Sequence, residues 1–176
     1  MFAADGFMLV FRFVHIVAGV LWVGSAFLFA MFIGPAAAEV GPSAGPLLHV
    51  VVKKRKVAQV IEGLSGLTVL AGWIIWLRYV DRSGGLGNWL DSAFGLVLTI
   101  GGVLATIAFV VGWFGVGKNV ERMVDLGDEI HATGGPPTPE QAGQMQRLGR
   151  TLETASEIDL LLLVTAVIAM ATARYW

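Results

Sequence analysis

The chain contains no cysteine and little charge, and these two deficits exclude several classes of protein. Without cysteine there is no disulfide, no thiolate metal ligand, no zinc knuckle and no cysteine nucleophile. Only 14% of the 176 residues are charged, whereas soluble domains carry about 25%. Hydrophobic residues make up 56% of the chain, which is more than a water-soluble core of this length buries. The net charge of −1 gives no indication of a nucleic-acid partner.

Four apolar segments are long enough to cross a bilayer, whose hydrocarbon core requires about 20 residues of helix. They are residues 7–33, 57–80, 92–116 and 158–175. These segments lack the alternation of barrel strands, so helices are the structures that satisfy their backbone in lipid. The sequence therefore predicts an all-α fold with a single membrane domain over residues 1–176, a polytopic integral membrane four-helix bundle.

Basic residues indicate the side of the membrane on which each loop lies. The first loop contains Lys53–Lys56, and the third contains Lys118, Arg122, Arg147 and Arg150. Because cytoplasmic loops are enriched in Lys and Arg, loops one and three are predicted to be cytoplasmic, with both termini outside. We expect a multi-pass protein of a bacterial-type inner membrane. The N-terminus has no basic n-region, so the first segment is expected to stay as a membrane helix rather than to be a signal peptide.

The two cytoplasmic loops have different predicted structures. Gly34–Gly45 is typical of a turn-rich connector, after which Pro46 is expected to begin a short helix. Residues 118–156 predict a cytoplasmic helical hairpin, because apolar residues recur at helical spacing on both of its arms. Thr138 and Gln141 have the spacing of a capping box and predict the start of the second arm.

Arg12 and His15 are the only ionisable residues of the first apolar segment. They are three positions apart and share a helix face. An ionisable group inside a span is by default a functional-site hypothesis. His15, about 12 Å inside the membrane from helical rise, would be an axial haem ligand, a copper ligand or part of a proton relay, with Arg12 neutralising a propionate or another anion. A neutral histidine bonded to a backbone carbonyl between helices is the structural alternative.

Three acidic residues lie near the cytoplasmic ends of the spans and are predicted to be buried polar groups: Glu62, Glu157 and Asp159. Glu62 is expected to face a neighbouring helix. Because a buried carboxylate has to be paired or protonated, one interpretation is ion pairing with Lys118, Arg55 or Lys56 at the interface. The other interpretation places Glu62 with Arg12 and His15 on a path for protons or a solute.

The stretch from His15 to Gly24, with Trp22 two positions before that glycine, resembles the first-helix pattern of a group of bacterial four-helix membrane proteins. The group includes the copper-resistance protein D family, the membrane domain of a bacterial urate oxidase and the haem-containing membrane protoporphyrinogen oxidase. The resemblance covers most of the chain at the level of architecture. It implies a four-helix bundle that holds haem b or handles copper, with His15 as the carried-over ligand.

The third span departs from this resemblance. The membrane protoporphyrinogen oxidases resemble one another in a third helix that contains His and Lys, whereas residues 92–116 contain neither. For this chain the resemblance therefore implies neither porphyrin oxidation nor a second axial ligand. A five-coordinate haem or a haem shared between subunits is still compatible with it.

The sequence leaves three functions open. The first is a redox-related protein or accessory subunit that uses His15 to bind haem b or copper. The second is a component of proton-coupled or solute transport, and the third is a non-catalytic scaffold whose hairpin binds other subunits. A phosphate loop, a Ser-His-Asp arrangement and a metalloprotease helix are all missing, so no catalytic residue is identified and an enzyme is not favoured. The expected partners are the lipid bilayer and either a second copy of the chain or other subunits of a membrane complex.

Overall fold

The computed structural model describes residues 6–176, and every element assigned to them is helical. The part of the predicted domain at residues 1–5 lies outside the described residues. Four helices in residues 6–176 are long and apolar enough to cross a membrane by length and composition. The predictions of an all-α protein and of four membrane-length helices are therefore confirmed.

Within residues 6–176 the chain forms eight α-helices: α1 (Gly6–Leu28), α2 (Gly34–Val40), α3 (Gly45–His49), α4 (Val57–Arg82), α5 (Leu86–Asp91), α6 (Ala93–Val111), α7 (Lys118–Thr133) and α8 (Pro139–Thr172). Three π-helical turns continue the preceding helices, at Phe29–Ile33, Val50–Lys54 and Gly112–Gly117. Short 3-10 turns lie at Gly41–Ala44 and Ala173–Tyr175. Below, residues 34–54 are called the connector. The end of the molecule that contains α5 is called the α5 end, and the opposite end, which contains α7, is called the α7 end.

The connector is helical, and the prediction of a turn-rich segment at residues 34–45 is wrong. Its prolines, Pro35, Pro42 and Pro46, each lie in the first turn of a short helix, where a missing N–H removes no intrahelical bond. Gly41 separates two of these helices with a φ of 68°, a conformation that glycine adopts at little cost. The prediction that a helix begins at Pro46 is confirmed by α3.

The long helices pack in two close pairs, α1 along α4 and α6 along α8, and the pairs meet through α4 with α6 and α1 with α8. An apolar cluster of Trp22, Ala108 and Leu163 is almost completely buried where these helices meet. Many other large apolar side chains are exposed, including Phe13 at 67% and Leu161 at 68%. Such surfaces are favourable in lipid and not in water, which indicates a bilayer environment.

Small residues bring α6 and α8 into close contact. A Cβ on Gly101 would lie 3.3 Å from the carbonyl oxygen of Ala166. Nearer the α7 end, a Cβ on Gly115 would lie 2.9 Å from the Cβ of Ala155. Backbones therefore approach as closely as they do in other membrane helix pairs with small residues at the interface.

An acidic stripe on α7 holds the connector and the start of α4. The stripe consists of Glu121, Asp125 and Asp128, which share one helix face because they follow at i, i+4 and i+7. Each member contacts a side chain of the connector or of α4: His49 Nδ1 lies 2.8 Å from Asp128, Lys53 Nζ 2.6 Å from Asp125, and Gln59 Nε2 2.6 Å from Glu121. The connector is thus fixed against α7.

The capping box at the start of α8 is confirmed. The backbone N–H of Gln141 donates to the Thr138 hydroxyl at 3.2 Å, and the Thr138 N–H donates to the Gln141 side chain at 3.0 Å. On the preceding side, α7 ends at Gly134, whose φ of 66° stops the helix. Because α7 also contacts α8, the chain reverses direction between them.

Candidate functional site

His15 lies between α1 and α4 and is fixed by the backbone of α4. Its Nδ1 lies 2.8 Å from the carbonyl oxygen of Thr68. A carbonyl only accepts hydrogen bonds, so Nδ1 must carry the proton and donate. In the neutral ring the lone pair then belongs to Nε2, which is the atom available to accept a proton or bind a metal.

Gly72 leaves the space in which the imidazole lies. A Cβ at this position would be 2.9 Å from His15 Cε1 and 3.0 Å from Nδ1, which is closer than real Cβ contacts allow. One turn earlier, the Thr68 hydroxyl donates to the Leu64 carbonyl at 2.8 Å. The Thr68 methyl would lie 3.3 Å from a Cβ on Gly19. The ring is therefore held between two positions where α1 and α4 approach closely.

Arg12 lies one turn from His15 toward the α5 end and contacts the same helix, α4. Its Nη2 donates a hydrogen bond to the Tyr79 hydroxyl, and its guanidinium lies 5.6 Å from the centre of the Tyr79 ring. Tyr79 in turn stacks on Trp89, with ring centres 5.4 Å apart. We call Arg12, His15, Thr68, Gly72 and Tyr79 the His15 site.

Glu62 lies toward the α7 end and not in the His15 site. It precedes Thr68 by six residues on α4, which corresponds to about 9 Å of helical rise. Its carboxyl faces the π-helical turn that follows α6, where a Cβ on Gly117 would overlap Oε1. The prediction that Glu62 faces a neighbouring helix is therefore confirmed. Oε1 is buried and has no hydrogen-bond partner among residues 6–176.

Asp159 is also buried against the π-helical turn, but from α8. The residue is 5% exposed, and its carboxyl oxygens lie 3.5 and 3.6 Å from the position of a Cβ on Gly112. In the described part of the chain its Oδ1 has no hydrogen-bond partner. Glu157 is exposed, so the prediction that it is a buried polar group is wrong. Residues two positions apart point to different sides of a helix, and only one of the two acids faces α6.

The structure does not show the predicted ion pair between Lys118 and the buried acids. Its Nζ lies 3.9 Å from Glu121 of the acidic stripe. Residues 6–176 contain no group of three or more His, Asp or Glu side chains that could hold a metal ion. A metal at His15 would thus have at most one further protein ligand of these types from the same described segment.

Sequence reasoning identified Arg12 and His15 but missed the α4 residues that bind them. Thr68, Gly72 and Tyr79 repeat at four and seven positions and so share the face of α4 turned toward α1. That spacing was a usable signal, although the pairing of α1 with α4 was needed to interpret it. Comparison with protein-family models, curated proteins and solved structures finds no match for this chain.

Proposed function

We propose that this protein is a four-helix membrane bundle in which His15 is an axial ligand of haem b, with copper as the alternative metal. The observation that carries the proposal is the hydrogen bond from His15 Nδ1 to the Thr68 carbonyl at 2.8 Å. Histidines that bind metals through one ring nitrogen usually donate the other N–H to a carbonyl or carboxylate. That bond fixes the ring orientation and directs Nε2 to the metal.

The other residues of the His15 site fit the same role. Gly72 allows the imidazole to lie against the α4 backbone. Arg12 provides a positive charge one turn away, and the Tyr79 hydroxyl fixes the guanidinium. A planar guanidinium suits recognition of a carboxylate such as a haem propionate. When bound, haem would supply one-electron chemistry at its iron, while this chain would hold the metal and pair its propionate.

The same proposal includes an orientation in the membrane. The connector and the hairpin of residues 118–156 are cytoplasmic, and both termini are outside, in a bacterial-type inner membrane. The support is the distribution of Lys and Arg, which are concentrated at the α7 end. The His15 site then lies in the outer half of the bundle, and Glu62 and Asp159 lie in the inner half.

A visible absorption spectrum tests the proposed ligand. Protein purified in detergent from haem-replete cells is expected to show a Soret band, or bound copper by elemental analysis. The variant His15→Ala is expected to lose either signal, whereas His49→Ala keeps it, because His49 lies on the connector and contacts Asp128 of α7. A wild-type protein with neither signal would refute the cofactor function.

We also propose a second candidate function, proton or solute movement through the bundle. The observation that favours it is a row of polar residues on one face of α4. Glu62, Ser65 and Thr68 follow at intervals of three, Ser65 and Thr68 are buried, and His15 continues the row toward the α5 end. Glu62 is the member of the row nearest the α7 end, where its Oε1 and Asp159 Oδ1 are buried without a hydrogen-bond partner among residues 6–176.

Proteoliposomes with an entrapped pH dye distinguish this function from the first. Under an imposed potential, the wild type is expected to acidify the lumen and Glu62→Gln to lose that flux. Glu157→Gln is the matched control, because Glu157 is exposed on α8. Unchanged flux in Glu62→Gln excludes the path. If His15→Ala alters neither flux nor cofactor content, the third function applies, a non-catalytic scaffold. The next experiment is then a search for subunits that bind the hairpin of residues 118–156.

A further inference from the structure

An open groove lies on the outer surface of the α6–α8 pair, away from the His15 site. Its volume is about 460 Å³, within the range of about 300–1,000 Å³ that small-molecule sites occupy. One residue of α6 and five of α8 line it: Val111, Arg150, Thr151, Thr154, Ala155 and Ile158.

The pairing of α6 with α8 gives the depth of the groove in the membrane. Gly112 lies level with Asp159, and Gly115 lies level with Ala155, so the two helices are antiparallel. Five residues farther along, Arg150 lies level with Val120, just beyond Lys118, the first charged residue after α6. The groove thus extends about 12 Å along α8, from the point where charges begin to the apolar part of the span.

The lining changes in character along this length. Arg150 and Thr151 lie at the charged end, Thr154 and Ala155 lie in the middle, and Val111 and Ile158 lie at the apolar end. The acidic residues Glu153 and Glu157 follow Arg150 at i+3 and i+7 on α8 but do not line the groove. Among the described residues that line the groove, Arg150 carries the charge and none is acidic.

We propose that this groove binds one anionic phospholipid, with the phosphate at Arg150 and an acyl chain along Val111, Ala155 and Ile158. A guanidinium binds phosphate through a pair of parallel hydrogen bonds. A zwitterionic lipid brings its own cation to the headgroup, whereas an anionic lipid leaves Arg150 as the neutralising charge. The site rests on the membrane embedding of the apolar helices and not on a cofactor at His15.

Native mass spectrometry of the full-length protein in detergent tests the site. With phosphatidylglycerol and phosphatidylcholine in competition, the wild type is expected to retain one phosphatidylglycerol with about fivefold preference. Arg150→Gln is expected to abolish the preference. Ile158→Trp, which fills the apolar end without changing charge, is expected to reduce retention of both lipids.

Two arms distinguish this site from other sources of anionic binding. Arg55→Gln and Arg122→Gln remove exposed charges elsewhere at the α7 end and are expected to leave the preference unchanged. An equal loss in these controls would show diffuse attraction and overturn the proposal. Displacement of the lipid by inorganic phosphate alone would also overturn it, because the acyl chain would then contribute nothing. Unaltered retention in Arg150→Gln and Ile158→Trp would have the same consequence.

Discussion

At the scale of single residues, the position of His15 depends on a glycine, Gly72, which has no side chain. The imidazole fits against α4 because residue 72 is glycine, and the hydrogen bond to Thr68 holds it there. Neither feature is visible in the apolar composition of the two helices. Substitutions at small residues are therefore more informative about this site than substitutions at large ones.

We expect Gly72→Ala to displace the His15 ring. The added methyl would lie 2.9 Å from Cε1, so the ring has to move and the bond to Thr68 weakens. The expected result is a loss of cofactor signal and a decrease of about 1–3 kcal/mol in the free energy of unfolding, as for other overpacked sites. Thermal unfolding in detergent and the visible spectrum measure the two effects.

Gly63→Ala is the control for this substitution, because it lies on the same helix and has no atom within 4 Å of the added methyl. It is expected to leave the spectrum unchanged and to stabilise α4 slightly, since alanine favours helix over glycine. Equal effects of the two substitutions would show that the His15 ring is not held by Gly72.

Asp159→Asn is expected to stabilise the protein. Asp159 is buried and its Oδ1 has no partner among the described residues, so the folded state bears the cost of removing this oxygen from water. A neutral amide reduces that cost, and we expect a gain of about 1–3 kcal/mol in unfolding free energy. Glu157→Gln, at an exposed position, is expected to change it by less than about 0.5 kcal/mol. Destabilisation by Asp159→Asn would show that the carboxylate has a bound partner.

At the scale of helices, the contact between the connector and α7 depends on charge. Lys53 and Asp125 are 2.6 Å apart but partly exposed, at 33% and 58%, so their interaction is weak. A double-mutant cycle with Lys53→Met and Asp125→Ala is expected to give a coupling energy of about 0.2–1 kcal/mol that decreases with salt. The same cycle with Lys54→Met in place of Lys53→Met is expected to give no coupling energy. A coupling energy similar to that of Lys53 would contradict the pairing of Lys53 with Asp125.

Thr138→Ala is expected to loosen the first turn of α8. The substitution removes the hydroxyl that accepts the Gln141 N–H, and such losses cost about 0.5–2 kcal/mol. Hydrogen exchange is expected to accelerate at residues 140–142 and to stay unchanged near Leu163, which is almost fully buried. Thr154→Ala, at an exposed position within the same helix, is the control.

The sequence predicted the elements that depend on local signals and missed those that depend on packing. The four spans follow from apolar length, and the start of α8 follows from Thr138 and Gln141. Residues 34–45 were predicted incorrectly because proline breaks a helix in its interior but is compatible with its first turn. In the site, Arg12 and His15 were found because they are the ionisable residues of an apolar segment, whereas Tyr79 and Gly72 required knowledge of which helices pair.

At the scale of the whole molecule, the absence of cysteine allows a direct test of orientation. A single cysteine at Ser43 of the connector or at Gly135 of the hairpin is expected to react with an impermeant maleimide only after the membrane is opened. A cysteine at Gly87, near the start of α5, is expected to react in intact cells. Labelling of all three from one side would contradict the proposed topology.

The π-helical turn at Gly112–Gly117 joins α6 to α7, the helix that carries the acidic stripe. Residues 93–132 form an unbroken helical run of 40 residues, about 60 Å long, in which α6 leads directly into α7. One extra residue in the hydrogen-bond ladder turns everything beyond it by about 100°. The turn therefore determines the rotation about the helix axis between the face that α6 presents to α8 and the face that α7 presents to the connector. The three contacts of the acidic stripe therefore depend on the direction in which this turn orients α7.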